Sequence, residues 1–515
     1  MMDENQAKVI AFLKASELLG DDPERIEEVT THISHLLLGR ETALKLKRAL
    51  KLPYVDFSTP ELRLAAAERE VELNRRTAPQ LYRGIRRITR EASGDLALDG
   101  EGDLVDVVVE MVRFDEDTLF DRMAVAGKLT NELLENLARQ IAEFHQGIEA
   151  TPRDDGAAHM AGVLDVNEAA LAGGEVFAKE AVEGFNARFR ETHAALADLL
   201  DRRGRVGMIR RCHGDLHLKN ICLVDGETTI FDCLEFDEDL GTTDLLYDLA
   251  FLLMDLWHRD LKAEANLVLN RYLDLTGDEG GLPLVPYFMA VRAAVRAHVA
   301  ATASEDMEEG AEEKREEAKS YFDLALTLLD EKAPRLVAVG GLSGSGKSTV
   351  ARMIAPEIGP APGARTLSSD RLRKARYGVS PQTRLGAEAY APEVTADVYR
   401  DLSERAVAIV GLGHAVVADA TFSTPEERSA IETAANEAGV PFRGIWLDVP
   451  AEKLVRRVGA RSGDPSDATP DVVRRQLARA TGTIGWSSVD GEGSTASVRD
   501  RVLSKLEKTD DETAA

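Results

Sequence analysis

One octapeptide constrains this chain more than any other. Gly341-Leu342-Ser343-Gly344-Ser345-Gly346-Lys347-Ser348 satisfies G-x-x-x-x-G-K-[ST] at every fixed position. The apolar run RLVAVGG before it reads as a strand, and STVARMIAPEI after it reads as a helix. Glycines let the main chain curl so that its N–H groups face phosphate oxygens. Gly341, Gly344, Ser345, Gly346 and Thr349 are therefore expected to cradle a nucleotide such as ATP. Lys347 should reach the β- and γ-phosphates and Ser348 should hold Mg²⁺, with the positive end of the helix behind them.

Residues 335–487 go on to alternate strand and helix patterns, as in a parallel α/β domain. LSSDRLRKARYG places Asp370 at a strand end with Arg373 three residues on. An acid there suits accepting the proton of a substrate hydroxyl, and an arginine suits clamping an anionic group. AVVADATFS sets Asp419 at the end of an apolar strand, placed to orient Mg²⁺ or substrate. KLVRRVGARSGD brings Arg457 and Arg461 to one helix face at i,i+4, a spacing suited to bridging a transferring phosphoryl group. The order LSGSGKST, SD-x-x-R-K, VVADATF, L-x-x-R-V-x-x-R resembles the zeta-toxin-like and gluconate-kinase-like group of small P-loop kinases, with AAA-type ATP binding. That resemblance covers most of 335–480 and leaves the acceptor open.

The strongest signal upstream is Cys212-His213-Gly214-Asp215-Leu216-His217-Leu218-Lys219-Asn220. An Asp with an Asn five residues later has the spacing of a protein-kinase catalytic loop. Asp215 would receive and orient an acceptor hydroxyl, and Asn220 would ligate Mg²⁺. Asp232, in IFDCLEF, stands where kinases keep a second metal-binding Asp. HGDLHLKN followed by IFDCLEF is similar to the aminoglycoside phosphotransferase and choline kinase superfamily, small-molecule kinases with a protein-kinase-like fold. The resemblance implies Asp215 as catalytic base and Asn220 and Asp232 as metal ligands. It also implies a nucleotide lobe upstream, with ALKLKR as the lysine strand. Lys45 and Lys47 point the same way on such a strand, so periodicity does not separate them; Lys45 is favoured because it follows Ala-Leu. Glu70, on the next helix, would pair with that lysine, with Glu68 and Glu72 as competing candidates on the same helix. Among the glycines of a phosphate loop, THISHLLLGRET offers only Gly39. Asp244 and Asp248 read as structural pins for the catalytic loop.

The 515 residues carry a net charge of -27. Such a surface repels nucleic acid and anionic lipid, leaving a small-molecule hydroxyl compound as the expected partner. Three cysteines without short paired spacing argue against a disulfide framework or a zinc site and read as buried core thiols. The acidic start lacks the pattern of a signal peptide and no run is long enough for a membrane span, so a cytoplasmic location is expected. Nothing in the pattern fixes an oligomeric state. Along the chain, residues 5–20, 23–38 and 60–79 read as helices and 86–112 as two strands.

The expected architecture is an α+β protein-kinase-like domain over 1–333, an α/β P-loop domain with a parallel sheet over 334–487, and a short helix with a disordered tail over 488–515. The order KLKR, NRR, CHGDLH, FDCLEF, AFLLMDL, GLSGSGKST resembles a bacterial family that fuses these two domain types, across nearly the full chain. The function this implies is a bifunctional ATP-dependent phosphotransferase acting on hydroxyls. The alternative is one active kinase regulated by, or scaffolded with, a non-catalytic nucleotide-binding partner domain.

Overall fold

The computed structural model describes residues 4–20, 25–52, 55–305, 307, 309–460, 466–479 and 481–513. By its internal contacts the chain forms two compact units. The first comprises Met1–Val163 with Ala195–Asp255, and the second Leu164–Ala194 with Leu256–Ala515. This contact-based division differs from the expected boundary at 333/334: within the second unit the helix Lys262–Thr276 packs against Lys347–Ile354 and Ala355–Glu357.

The first unit is built on a six-stranded antiparallel sheet. In order across it run Glu27–Thr30, Ser34–Leu38, Thr42–Lys47, Asp103–Val112, Tyr82–Arg90 and Leu96–Leu98. Strand alternation explains its two faces. Leu44 and Leu46 face a core with Val9, Ile10 and Leu13 of the helix Glu4–Lys14. Ala43 packs on the other side with Ala67 and Val71 of the helix Pro60–Asn74. That helix starts at Thr59, whose side chain caps Leu62 N, with Pro60 in the first turn.

Two expectations are corrected here. Residues 23–38 were expected to be helical, yet 27–30 and 34–38 form a hairpin. Pairing with the lysine strand buries Leu37, and that tertiary gain outweighs helical spacing. The stretch 86–112 contributes to three strands rather than two. Gly39 stands at the turn into the lysine strand, while the first hairpin turns through Thr31, His32 and Ile33.

The catalytic-loop region lies between short strands. Ile209–Arg211 pairs with Thr242–Asp244, and Ile221–Val224 pairs with Glu227–Ile230. The helix Leu245–His258 follows directly.

The second unit has a five-stranded sheet ordered Arg365–Ser368, Val416–Asp419, Leu336–Gly340, Phe442–Asp448, Ser487–Asp490, with every pair parallel. Leu336–Gly340 and Val416–Asp419 are buried along their whole length, as strands inside a sheet covered on both faces must be. The short helix expected in the tail is present, as Thr495–Thr513, but the segment is part of the domain rather than an appendage. Ser487–Asp490 completes the sheet, and Val498, Val502 and Leu506 of the last helix are buried in its core beside Val350 and Ile354. Among the described residues no helix is long and apolar enough to cross a membrane.

Candidate active sites in the two units

The first site gathers residues from four segments. Lys45 Nζ lies 2.8 Å from Glu70 Oε1 and 2.6 Å from Asp232 Oδ1. Lys47 Nζ lies 2.7 Å from the other Glu70 oxygen and pairs also with Glu235. The structure thus separates the two lysines that alternation left equivalent. Lys45 reaches the expected metal-ligand carboxylate. Lys47 is 1% exposed and committed to two buried acids, so it is withdrawn as a nucleotide contact. Burial would raise the Glu70 carboxyl, but the two ammonium groups outweigh it and hold it at about 2. Burial works to lower both lysines, and the surrounding carboxylates hold them above their ordinary value. Burial pushes the Glu235 carboxyl up, against the pull of Lys47.

The catalytic loop is held by its main chain. Asp248 Oδ1 accepts from Gly214 N at 2.7 Å and Oδ2 from His213 N at 3.2 Å. Asp244 receives two hydrogen bonds from Arg203, at 2.7 and 2.9 Å. His213 donates through Nε2 to Phe231 O at 2.9 Å and accepts from Asp215 N through Nδ1 at 3.3 Å. Burial lowers its pKa, consistent with this neutral form. Asn220 Nδ2 donates to Asp215 Oδ2 and to Asp215 O, both at 2.9 Å. His217 Nε2 lies 3.4 Å from Asp215 Oδ2. Asp232 adopts a left-handed φ of 61°, a costly conformation for a residue with a Cβ. Its N–H donates to Tyr82 Oη at 3.2 Å, and the next N–H, of Cys233, donates to Asn74 Oδ1 at 2.8 Å. Arg76 Nη1 donates to Arg211 O at 2.8 Å. Asn74 and Arg76 thus connect the helix carrying Glu70 to both sides of the loop. The cysteines are buried and free, and burial pushes the Cys222 and Cys233 thiols up to about 12.

The second site lies at the carboxyl ends of three adjacent strands, where parallel α/β sheets bind ligands. Val339 pairs with Asp419 and Ser368 pairs with Asp419, so the P-loop, Asp370 and Asp419 leave the sheet side by side. They border a cavity of about 320 Å³ that also takes in Lys347, Ser348, Gly344 and Gly346. The loop is shaped by its glycines. Gly341, Gly344 and Gly346 have φ of 142°, 91° and 95°. A Cβ at Gly344 would stand 2.8 Å from Leu454 O, so this turn excludes a side chain. Ser345 Oγ is buried without a hydrogen-bond partner among the described residues. Neither Ser345 nor Gly341 borders the cavity, so the fit to a polyphosphate rests on the curl at Gly344 and Gly346 with Lys347 at its end. Thr349 is half-buried in the first helical turn and does not border the cavity.

Asp419 is 3% exposed. The Asp370 carboxyl is pushed up by burial and by Asp419, against Lys347, Ser466 and Arg373. Arg373 borders the cavity, stacks over Tyr390 at 4.6 Å and donates to Ala389 O at 2.6 Å.

The arginine expectation needs correction. Arg457 is outside the cavity wall; its guanidinium donates to Gly344 O and Ser345 O at 3.4 Å and Gly491 O at 3.2 Å. It braces the P-loop from behind. Arg461 lies outside the described residues. The cavity instead holds Arg475 and Arg479, from the helix Pro470–Ala478 and its C-cap. These two also stand at i,i+4, so spacing alone offered both pairs.

The phosphotransferase enzyme family model matches residues 39–283, and an AAA domain model matches 336–483. An uncharacterized protein of Mycobacterium tuberculosis is 30% identical over 471 residues, covering 89% of this chain and 91% of that protein. A choline/ethanolamine kinase family protein from Mesorhizobium loti has a solved structure 15% identical, spanning 63% of this chain and 95% of its own, at a TM-score of 0.39. A gluconokinase from Sinorhizobium meliloti is 21% identical, spanning 36% and 97%, at a TM-score of 0.26. With two kinase-type domains in this order and a relative aligned along almost its full length, the chain belongs to the bacterial family that fuses an aminoglycoside-phosphotransferase-like domain to a C-terminal AAA-type P-loop domain.

Proposed function

We propose that the chain is a bifunctional ATP-dependent phosphotransferase, each domain passing the γ-phosphate to a hydroxyl of a small metabolite or antibiotic. The observation that carries the reading is that two lysine–carboxylate constellations stand in one chain, each in a kinase-type domain: Lys45 with Asp215, Asn220 and Asp232, and Lys347 with Asp370 and Asp419.

In the first domain the Asn220 amide steadies the Asp215 carboxylate, which orients the acceptor alcohol and receives its proton. Asn220 and Asp232 supply hard oxygen donors of the kind Mg²⁺ takes. Lys45, anchored by Glu70, meets the phosphates beside Asp232. In the second domain Asp370 takes the acceptor proton, and Lys347, Arg475 and Arg479 balance charge on the transferring group. Ser348 and Asp419 are the candidates to hold Mg²⁺ there. When bound, the metal spreads negative charge off the phosphates. The net charge of -27 supports a small-molecule acceptor over nucleic acid.

The test is transfer of labelled γ-phosphate to a panel of sugars, amino sugars, aminoglycosides and nucleoside diphosphate sugars. The full chain is compared with Asp215→Asn and Lys347→Ala. The reading expects two acceptor sets, one lost in each variant. A single substitution that removes all transfer would overturn it. One observation favours the alternative of a single active domain with a nucleotide-binding partner: the first hairpin turns through Thr31, His32 and Ile33 without glycine. Transfer unchanged by Asp215→Asn would select that alternative.

A further inference from the structure

The strand that delivers Asp370, Arg365–Ser368, is the edge of the second sheet. Edge strands expose unpaired main-chain groups and are commonly covered. Here the cover is the helix Lys262–Thr276, and it covers by side-chain amides. Asn266 Nδ2 donates to Pro362 O and Ala364 O, both at 3.1 Å. Asn270 Oδ1 accepts from Thr366 N at 2.7 Å, and Asn270 Nδ2 donates to Ala364 O at 3.2 Å. Two asparagines thus act as a sixth strand would, and fix the register of the edge.

A buried ion cluster completes the attachment. Arg365 is 1% exposed; Nη2 lies 2.8 Å from Asp274 Oδ1 and Nε lies 2.9 Å from Glu279 Oε1. Its Nη1 donates to Asn270 Oδ1 at 3.0 Å. Asp274 reaches further, with Oδ2 lying 3.4 Å from Arg371 Nη1. Arg371 is the immediate neighbour of Asp370 on the helix Ser369–Arg376. One carboxylate therefore grips the start of the edge strand and the first turn of the helix that follows it. Arg271 also faces Asp274, at 2.7 Å, and the three guanidiniums hold its carboxyl below the ordinary carboxylate value despite burial.

From this geometry we infer that Asp274 is a positioning residue for the acceptor base Asp370, so that the second phosphotransfer site depends on a helix matched by the phosphotransferase family model rather than by the AAA domain model. The inference rests on the proposed role of Asp370. It acts through backbone placement: Asp274 fixes residues 365 and 371, and Asp370 lies between them. The P-loop leaves a different strand, so nucleotide binding is not expected to depend on it.

The test uses the full chain carrying Asp215→Asn, which silences the first site. Phosphate release from MgATP is measured, with water standing in for the acceptor, beside amide hydrogen exchange. Asp274→Asn should lower kcat at least tenfold with the KM for MgATP changed less than twofold, and should speed exchange in 365–376 but not in 341–348. Asp274→Glu should recover part of the rate. Arg371→Gln, which leaves the Arg365 cluster intact, should lower kcat about threefold, because it removes only one long, partly buried contact of the carboxylate. Unchanged kcat and exchange in Asp274→Asn overturns the inference, as does loss of kcat together with KM and global exchange protection. Asp370→Ala is the control: release surviving it refutes the role of Asp370, whereas release lost there but kept in Asp274→Asn refutes only the positioning role. If the Asp215→Asn chain releases no phosphate, the exchange arm decides alone.

Discussion

In the first unit the charges around the proposed nucleotide position come from residues 45, 47, 70, 232 and 235, joined by ion pairs that span up to 188 residues of sequence. In the second, the proposed phosphate cradle is eight consecutive residues, 341–348, shaped by glycines with positive φ. One grip is made by tertiary structure and the other by local backbone. Damage should therefore propagate differently. A substitution in the first network should cost stability across the unit, and one in the second should cost mainly the ligand.

The sharpest test of that contrast is Lys47→Met. It leaves Glu70 and Glu235 facing each other at 0% and 5% side-chain exposure. Breaking a buried pair by deleting one partner costs about 3–5 kcal/mol, which chemical denaturation of the first unit should read. Lys45→Met should cost less stability, because Glu70 keeps Lys47, yet abolish first-site transfer. Equal losses from the two changes would mean that the network does not divide into a structural and a functional lysine.

Gly344→Ala is the counterpart in the second unit. The residue has φ 91°, and the added methyl would approach Leu454 O at 2.8 Å and Val458 Cγ2 at 3.0 Å. The expected strain is about 1–3 kcal/mol, concentrated in the loop. Isothermal titration should show MgATP binding at the second site weakened by at least tenfold, with the denaturation of the first unit unmoved.

The same contrast explains what was legible in the sequence. The P-loop, Asp370 and Asp419 could be read because their geometry follows from contiguous residues and strand ends. Asp215 and Asn220 share one loop, and they too were readable. Lys45 and Lys47 could not be ranked, since alternation puts both on one face. Only the third dimension shows that one meets Asp232 and the other Glu235. The hairpin at 27–38 was hidden because its burial depends on pairing with the lysine strand. Arg475 and Arg479 carried the same i,i+4 signal as Arg457 and Arg461, and nothing local indicates which helix faces the cavity. Asn266, Asn270 and Asp274 gave no signal of this role, because the partners that define it, Ala364, Arg365 and Thr366, lie about 90 residues or more downstream.

The arginine correction gives the next test. Arg479→Gln removes a cation from the cavity wall and should lower second-site kcat by roughly tenfold to a hundredfold, with little change in melting temperature. Arg457→Gln removes hydrogen bonds to Gly344 O, Ser345 O and Gly491 O, so its main effect should be on the KM for MgATP. If Arg457→Gln lowers kcat more than Arg479→Gln, the assignment of the two arginines is reversed.

The smallest expected effect concerns Asp370 and pH. Burial, then Asp419, raise its carboxyl above the ordinary 3.8, so the folded chain binds this proton more tightly than the unfolded chain. The stability it contributes is fully present below the ordinary carboxylate value and is lost as pH rises through the raised folded value. At neutral pH the ionised Asp370 is therefore a small net cost to folding. Asp370→Asn cannot ionise, so it should melt above the wild-type chain at pH 7.5, and the gap should close as pH falls toward 4. Second-site kcat in the wild-type chain should fall over the same acid range, because the protonated carboxyl no longer accepts a proton. Nothing comparable is expected from Lys45 or Glu70, whose mutual pairing keeps both charged through this range. A melting difference that stays constant with pH would place Asp370 in a solvated setting and remove the physical basis for its role as a tuned base.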